Sequence, residues 1–352
     1  MNFLYLLLVF VPISIVGHFM GFSETAMFIL SALGIVPLAG VMGTATEGVS
    51  HYAGSRIGGF LNATFGNATE LIIGIIGLKA GLFEVVKSSI AGSVIGNILL
   101  VLGLSMFCGG LKYKTQTFNK NAVRLTSSML LFAVVCLTIP AIFTHTLSDK
   151  TLTTKYEGIN VLVAIILLII YICQIIFTFF THKDVLATEE AEENDGEVEE
   201  PKWNLKISIL MLVLSTVFIA IMSEFFVGAV EPMTEQVGLP VTFVGIILVP
   251  IIGNAAEHST AIIMALKNKM SVSMEIALGS SLQIILFVAP VLILLSLLWK
   301  PMSVVFTPFE LVALFSSVII ANKLVDDGKS NWLEGFVLVA TYVILGAMFF
   351  IV

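Results

Sequence analysis

Charge is scarce in this sequence. Only 12% of its 352 residues are Asp, Glu, Lys or Arg, while 58% are hydrophobic; a soluble domain carries roughly 25% charged residues. No water-soluble core could use so much apolar surface, so a soluble globular fold is excluded. Cysteine is equally sparse. Cys108, Cys136 and Cys173 all fall inside apolar runs, where they act as small hydrophobes, and a disulfide framework is not expected. A basic patch is also missing, which removes nucleic acid from the candidate partners.

What the chain does have is apolar runs of membrane-spanning length, about 20 residues each. Hydropathy places spans at 3–20, 26–49, 58–79, 84–107, 122–143, 158–181, 205–230, 241–266, 273–298, 308–322 and 332–352. The expected fold is therefore an all-α integral membrane protein of about eleven transmembrane helices. The first run lacks the basic start and small-residue cleavage site of a secretory signal, so it reads as a retained helix. The net charge of −7 is a local feature: residues 189–200 carry eight acids, and without them the chain would stand at +1. With the N-terminus inside, twelve of the seventeen Lys and Arg fall in inner loops. The positive-inside bias thus expects a cytoplasmic N-terminus, an outer C-terminus and an acidic cytoplasmic linker over 182–204.

The chain contains itself twice. Gly66-Asn67-Ala68-Thr69-Glu70 is echoed by Gly253-Asn254-Ala255-Ala256-Glu257. Upstream, Thr46-Glu47 matches Ser223-Glu224; downstream, Gly92-Ser93 with Asn97 matches Gly279-Ser280 with Gln283. One leading helix (1–23) followed by two halves of five helices (24–181 and 205–352) accounts for the pattern. Five is odd, so the second half must enter the membrane from the opposite side. Such inverted repeats give secondary transporters a midplane site.

A charge at the centre of a span costs about 2.5–3.5 kcal/mol on insertion scales, and intramembrane acids are functional by default. Glu70 and Glu257, placed identically in both halves, carry the strongest case. Glycine four residues before each Glu, and Pro250 in the second copy, suggest helix breaks whose freed carbonyls can face a cation. Calcium takes six to eight hard oxygen ligands. Glu70, Glu257, carbonyls near Gly66 and Gly253, and side-chain oxygens of Asn67, Asn254, Ser93, Asn97, Ser280 and Gln283 could supply them. Nitrogen and sulfur ligands are nearly missing, with His258 alone in the constellation, which favours a hard divalent ion over zinc or copper. Two adjacent carboxylates resist joint ionisation without a cation between them, so protons and calcium would compete for one site. Glu47, Glu224 and His258 are candidates for a proton path; solvated helix ends are the plainer reading of the two acids.

The doubled Gly-Asn-Ala-x-Glu motif, each copy followed by a Gly-Ser span bearing an amide, resembles the calcium/proton antiporter family of the cation/calcium exchanger superfamily. The likeness runs from Glu24 to the end. It implies that Glu70 and Glu257 bind calcium, with Asn67, Asn254, Ser280 and Gln283 around them, and that an acidic segment joins the halves. Sodium/calcium exchangers of the superfamily usually place Gly-Thr-Ser before the acid; Asn-Ala stands here instead. The expected activity is exchange of calcium for protons by alternating access in a prokaryotic cell membrane. Calcium ions and protons are then the partners, with the lipid bilayer, and calcium is cargo rather than cofactor. A homo-oligomer is left open. Rival readings are a sodium/calcium exchanger, a proton antiporter for another divalent ion, a passive channel, and an intramembrane enzyme using the paired glutamates. Asp149-Lys150-Thr151-Leu152-Thr153 lacks the Gly-Thr of the pump phosphorylation motif, and Gly328-Lys329-Ser330 lacks the upstream glycine of a nucleotide loop.

Overall fold

The computed structural model describes residues 5–146, 153–182, 201–303 and 305–351. Residues 183–200 of the expected linker, with the acidic stretch from Glu189 to Glu200, and positions 149–152 of the pump-like motif lie outside the described residues.

Helices dominate: α1 (Leu7–Met20), α2 (Glu24–Phe65), α3 (Ala68–Ala80), α4 (Phe83–Tyr113), α5 (Lys120–Thr146), α6 (Thr153–Ile176), α7 (Leu205–Val237), α8 (Val241–Gly253), α9 (Ala255–Leu266), α10 (Met270–Ser296), α11 (Pro308–Leu324) and α12 (Trp332–Ile351). Among the described residues, seven segments are long and apolar enough to cross a bilayer. An eighth span results if α8 and α9, bent by 63°, are taken together. Their outer faces are apolar, as a hydrocarbon solvent demands: Phe132, Ile169 and Val343 are all more than half exposed. The chain is a multi-pass membrane protein.

Two features away from the duplicated motif depart from the expected spans. Positions 26–49 and 58–79 were expected as two separate helices, yet helical structure runs on from Glu24 to Phe65 and turns only at Gly54, with φ 82° and ψ 164°. That backbone conformation favours glycine. Close by, a Cβ on Gly58 would run into the carbonyl of Ser50, so the kink needs glycine at both places. The second departure is a two-stranded antiparallel ribbon, β1 (Thr115–Thr117) with β2 (Lys329–Asn331), pairing Gln116 with Ser330. The nucleotide-loop look-alike at Gly328 therefore leads into this strand, not from a strand into a helix.

The chain folds into two compact units. The first comprises Met1–Val86, Glu197–Glu257 and Phe349–Val352; the second comprises Lys87–Gly196 and His258–Met348. Each unit draws on both halves of the sequence. In the first, α7 lies along α2 and buries Ile35, Met42, Met222 and Phe226. Phe28 stacks on Phe226 with ring centroids 4.7 Å apart.

In the second unit burial ranks the helices: the most apolar window is 67% buried in α10 and only 17% in α6. So α10 is a core helix and α6 faces lipid. Tyr171 of α6 stacks on Phe287 of α10 at 5.1 Å. Helix α12 crosses α4 with almost no spacing, since a Cβ on Gly335 would strike the Phe107 amide nitrogen and the Gly103 carbonyl. Small residues at such crossings let backbones approach where no hydrophobic drive between helices exists.

Candidate functional site

Both motif copies fold into the same local device. In the first copy α2 stops at Phe65, Asn67 leaves the helical region (φ −101°, ψ 23°), and α3 starts at Ala68 with Glu70 in its first turn. In the second, α8 stops at Gly253, Asn254 does likewise (φ −96°, ψ 7°), and α9 starts at Ala255 with Glu257 in its first turn. The expected continuous span over 58–79 is thus broken at Gly66–Asn67, and the span over 241–266 at Asn254. Pro250 stands four residues before the break at Asn254, and its missing N–H leaves an acceptor free in the turn before it. Each glutamate therefore sits in the first turn of a helix, where the helix dipole favours negative charge.

The first unit brings Glu70 and Glu257 together. Glu257 is close enough to act electrostatically on Glu70. Glu70 also lies against the backbone of the opposite motif: a Cβ on Gly253 would stand 3.5 Å from Glu70 Cγ and 3.7 Å from Oε1. Glycine at 253 leaves open the space beside the carboxylate. Glu70 Oε2 is fully buried and accepts no hydrogen bond. A buried carboxylate oxygen without a partner costs several kcal/mol unless it is protonated or bound to a cation. Asn67 and Asn254 are both buried. Asn254 is tied back, with its Nδ2 donating at 3.0 Å to the Pro250 carbonyl, which also accepts from the Asn254 amide at 2.9 Å. That carbonyl is already engaged, so the second break keeps part of its freed acceptor capacity for itself.

The second unit holds the remaining amide and hydroxyl candidates. Asn97 donates through Nδ2 to Ser280 Oγ at 3.1 Å, and its Oδ1 lies 3.2 Å from His258 Nε2. Since Oδ1 can only accept, His258 donates through Nε2. Ser93 is buried one turn before Asn97 on α4, and Gln283 is half-buried one turn after Ser280 on α10. Wide turns of π type surround these positions. Gly96–Leu102 contains Asn97, while Glu275–Gly279 and Ile284–Val288 flank Ser280–Gln283. Such turns occur often at functional sites and re-aim side chains from the regular helical face.

Glu47 and Glu224, at matched positions of α2 and α7 in the first unit, are exposed. Lys87, inside the expected span 84–107, is buried, with Nζ donating at 3.2 Å to the Val305 carbonyl. The sequence reading also passed over Glu310, which is only 2% exposed. Unlike Glu70 it is fully engaged: Ser88 Oγ donates to Oε1 at 2.7 Å and the Thr307 amide to Oε2 at 2.8 Å. The spacing Thr-x-x-Glu before α11 is a capping-box signal that could have found it. The contrast separates a structural acid from one with an open coordination position. Among the described residues no three His, Cys, Asp or Glu side chains cluster. A cation at the acid pair would meet two carboxylates, with neutral oxygens completing its shell.

Acids at the breaks of two interrupted helices, inside a polytopic membrane protein, define the architecture of a secondary transporter. Residues 23–180 and 207–351 match the model of the sodium/calcium exchanger protein family, and the chain belongs to that family. Among its relatives, the Ca2+/H+ antiporter of Synechocystis is 46% identical, covering 98% of this chain and 96% of the relative. The Ca2+/H+ antiporter ChaA of Bacillus subtilis is 45% identical, over 97% and 96% respectively. The solved structure of native YfkE matches with a TM-score of 0.85 at 40% identity, over 99% of this chain and all of that one. A crystal structure of the H+/Ca2+ exchanger CAX shares the fold at 15% identity with a TM-score of 0.72.

Proposed function

We propose that this protein exchanges calcium ions for protons across a membrane, with Glu70 and Glu257 as the groups that hold either cargo. The observation that carries this reading is the buried, unpartnered Oε2 of Glu70, set beside its matched acid and over the open backbone of Gly253. Two carboxylates and one calcium are locally neutral, and so are two carboxylic acids. Either loaded form can be carried through lipid without the cost of an unpaired buried charge, whereas the empty, doubly charged form cannot. That asymmetry couples the two ions, because calcium leaves at an appreciable rate only as protons arrive. With only two carboxylates among its ligands the site also carries less charge than the cages that hold calcium most tightly.

Asn67 and Asn254, with the backbone at Gly66 and Gly253, surround the acids; the sequence offers Ser93, Asn97, Ser280 and Gln283 as further oxygen donors. Glu47, Glu224 and His258 serve proton access. The two family-model segments fall on the two sequence halves, which supports an inverted repeat of 24–181 and 205–352. The Lys and Arg distribution supports a cytoplasmic N-terminus and an outer C-terminus, and the bacterial antiporters among the relatives support a prokaryotic cell membrane. The likeness to transporters favours ion exchange over catalysis by the paired acids. Calcium uptake into proteoliposomes under an imposed pH gradient tests the reading. Uptake should collapse with a proton ionophore and persist without sodium; uptake that a sodium gradient drives and an ionophore leaves untouched would overturn it.

A further inference from the structure

A cavity of about 280 Å3 lies in the first unit, well apart in sequence from the glutamate motifs. Leu8 of α1, Leu38 and Val41 of α2, and Met211, Leu214 and Phe218 of α7 form its walls. Ser215 also lines it, but its hydroxyl donates to the Leu212 carbonyl at 3.1 Å, so the lining offers no free polar group. The volume falls at the lower end of ligand pockets, roughly 300–1,000 Å3. It has room for part of one hydrocarbon chain and not for a whole lipid.

One end of this apolar cavity is marked by amphipathic and charged residues. Tyr5 and Trp203 line it. The exposed Lys202 places its ammonium 4.3 Å from the Tyr5 ring centroid, 5.3 Å from that of Trp203, and 2.6 Å from the Tyr5 hydroxyl. Among the described residues Lys202 has no carboxylate partner, and a second exposed lysine, Lys206, follows in the first turn of α7. Tyrosine and tryptophan are the residues of the membrane–water interface. Basic residues at the mouth of a pocket between transmembrane helices recognise anionic lipid headgroups.

We propose that this cavity is a binding site for one anionic phospholipid, with an acyl chain between α1, α2 and α7 and the headgroup phosphate on Lys202 and Lys206. The occupant follows from the site: the inner walls are apolar, with the Ser215 hydroxyl turned back to its own helix, the charge at the mouth is positive, and the surrounding solvent is lipid. Because α2 and α7 also carry the matched acids Glu47 and Glu224, lipid at this site braces two helices of the transport unit.

Fluorescence of Trp203 tests the proposal. Trp299 and Trp332, both about half exposed, are replaced in a Trp299→Phe, Trp332→Phe background, and the protein is placed in vesicles of phosphatidylcholine brominated along its acyl chains. Trp203 should be quenched, and unbrominated phosphatidylglycerol should relieve the quenching well beyond its mole fraction. A lysine near an anionic surface contributes about fivefold, so two predict a preference of roughly 25-fold over phosphatidylcholine. Lys202→Ala with Lys206→Ala should bring the preference close to one, and Lys202→Arg should keep it. Relief that only tracks mole fraction would overturn the proposal. So would a Trp203 already shielded from brominated lipid, since protein, a second copy or another segment of the chain, would then cover the cavity.

Discussion

Replacing Gly253 with alanine separates folding from ion binding. The added methyl would stand 3.5 Å from Glu70 Cγ and 3.7 Å from Oε1, ordinary van der Waals distances that force nothing to move. Gly253 is the last residue of α8, and alanine in a helix is favoured over glycine by about 0.5–1 kcal/mol. The variant should therefore fold and unfold thermally at the same temperature as the parent or slightly above it. The methyl nevertheless fills the space beside the Glu70 carboxylate, where calcium, bonded to oxygen at about 2.3–2.6 Å, or a ligand water must fit. Losing one interaction to a charged group costs about 1.5–3 kcal/mol, which is about 10- to 150-fold in affinity. Calorimetric titration of calcium in detergent, beside a thermal unfolding scan, measures both quantities. Unchanged calcium affinity in a stable Gly253→Ala protein would refute the assignment of that space to the ion.

Asn97→Leu removes one hydrogen bond to Ser280 and one to His258. It should cost about 1–3 kcal/mol of stability, read as a lowered unfolding temperature; an unchanged one would contradict the network. Glu310→Ala strips the capping box of α11 and the acceptor for Ser88, a loss of about 0.5–2 kcal/mol for the cap alone. Stability should fall while calcium affinity stays within twofold, the reverse of what is expected at Gly253. Gly335→Ala pushes a methyl into the backbone of α4, and overpacking of this kind costs about 1–3 kcal/mol. It should unfold at lower temperature than the parent, and a neutral result would show that the crossing can widen.

The parts of this structure legible in the sequence are those with a local chemical cause. Apolar runs marked the seven long spans because bilayer thickness fixes their length. The duplicated motif gave the breaks because a glycine before Asn67 and Asn254, with Pro250 beside the second, weakens the helix where each occurs. The kink at Gly54 was missed: one glycine among several in a helical run carries no sign that it alone takes a positive φ. The π turns around Asn97 and Ser280 were missed for a related reason, since a wider turn has the same composition as a regular one. The ribbon joining Gln116 and Ser330 depends on partners distant in the chain, and three-residue strands have no periodicity to read. Burial of Lys87 and Glu310 was hidden because each is satisfied by a group from another element. The matched acids stood out in the sequence because each is a charge inside an apolar run and the two repeat at the same place in both halves.

The most direct test is calcium-triggered proton release. Purified protein in a weakly buffered detergent solution should acidify the medium when calcium is added, as the ion displaces protons from Glu70 and Glu257. The Glu70→Gln, Glu257→Gln double variant should fold, bind calcium at least 100-fold more weakly, since breaking a buried charge pair costs about 3–5 kcal/mol, and release no protons. Proton release undiminished in that variant would contradict the claim that these two carboxylates hold calcium and protons in turn.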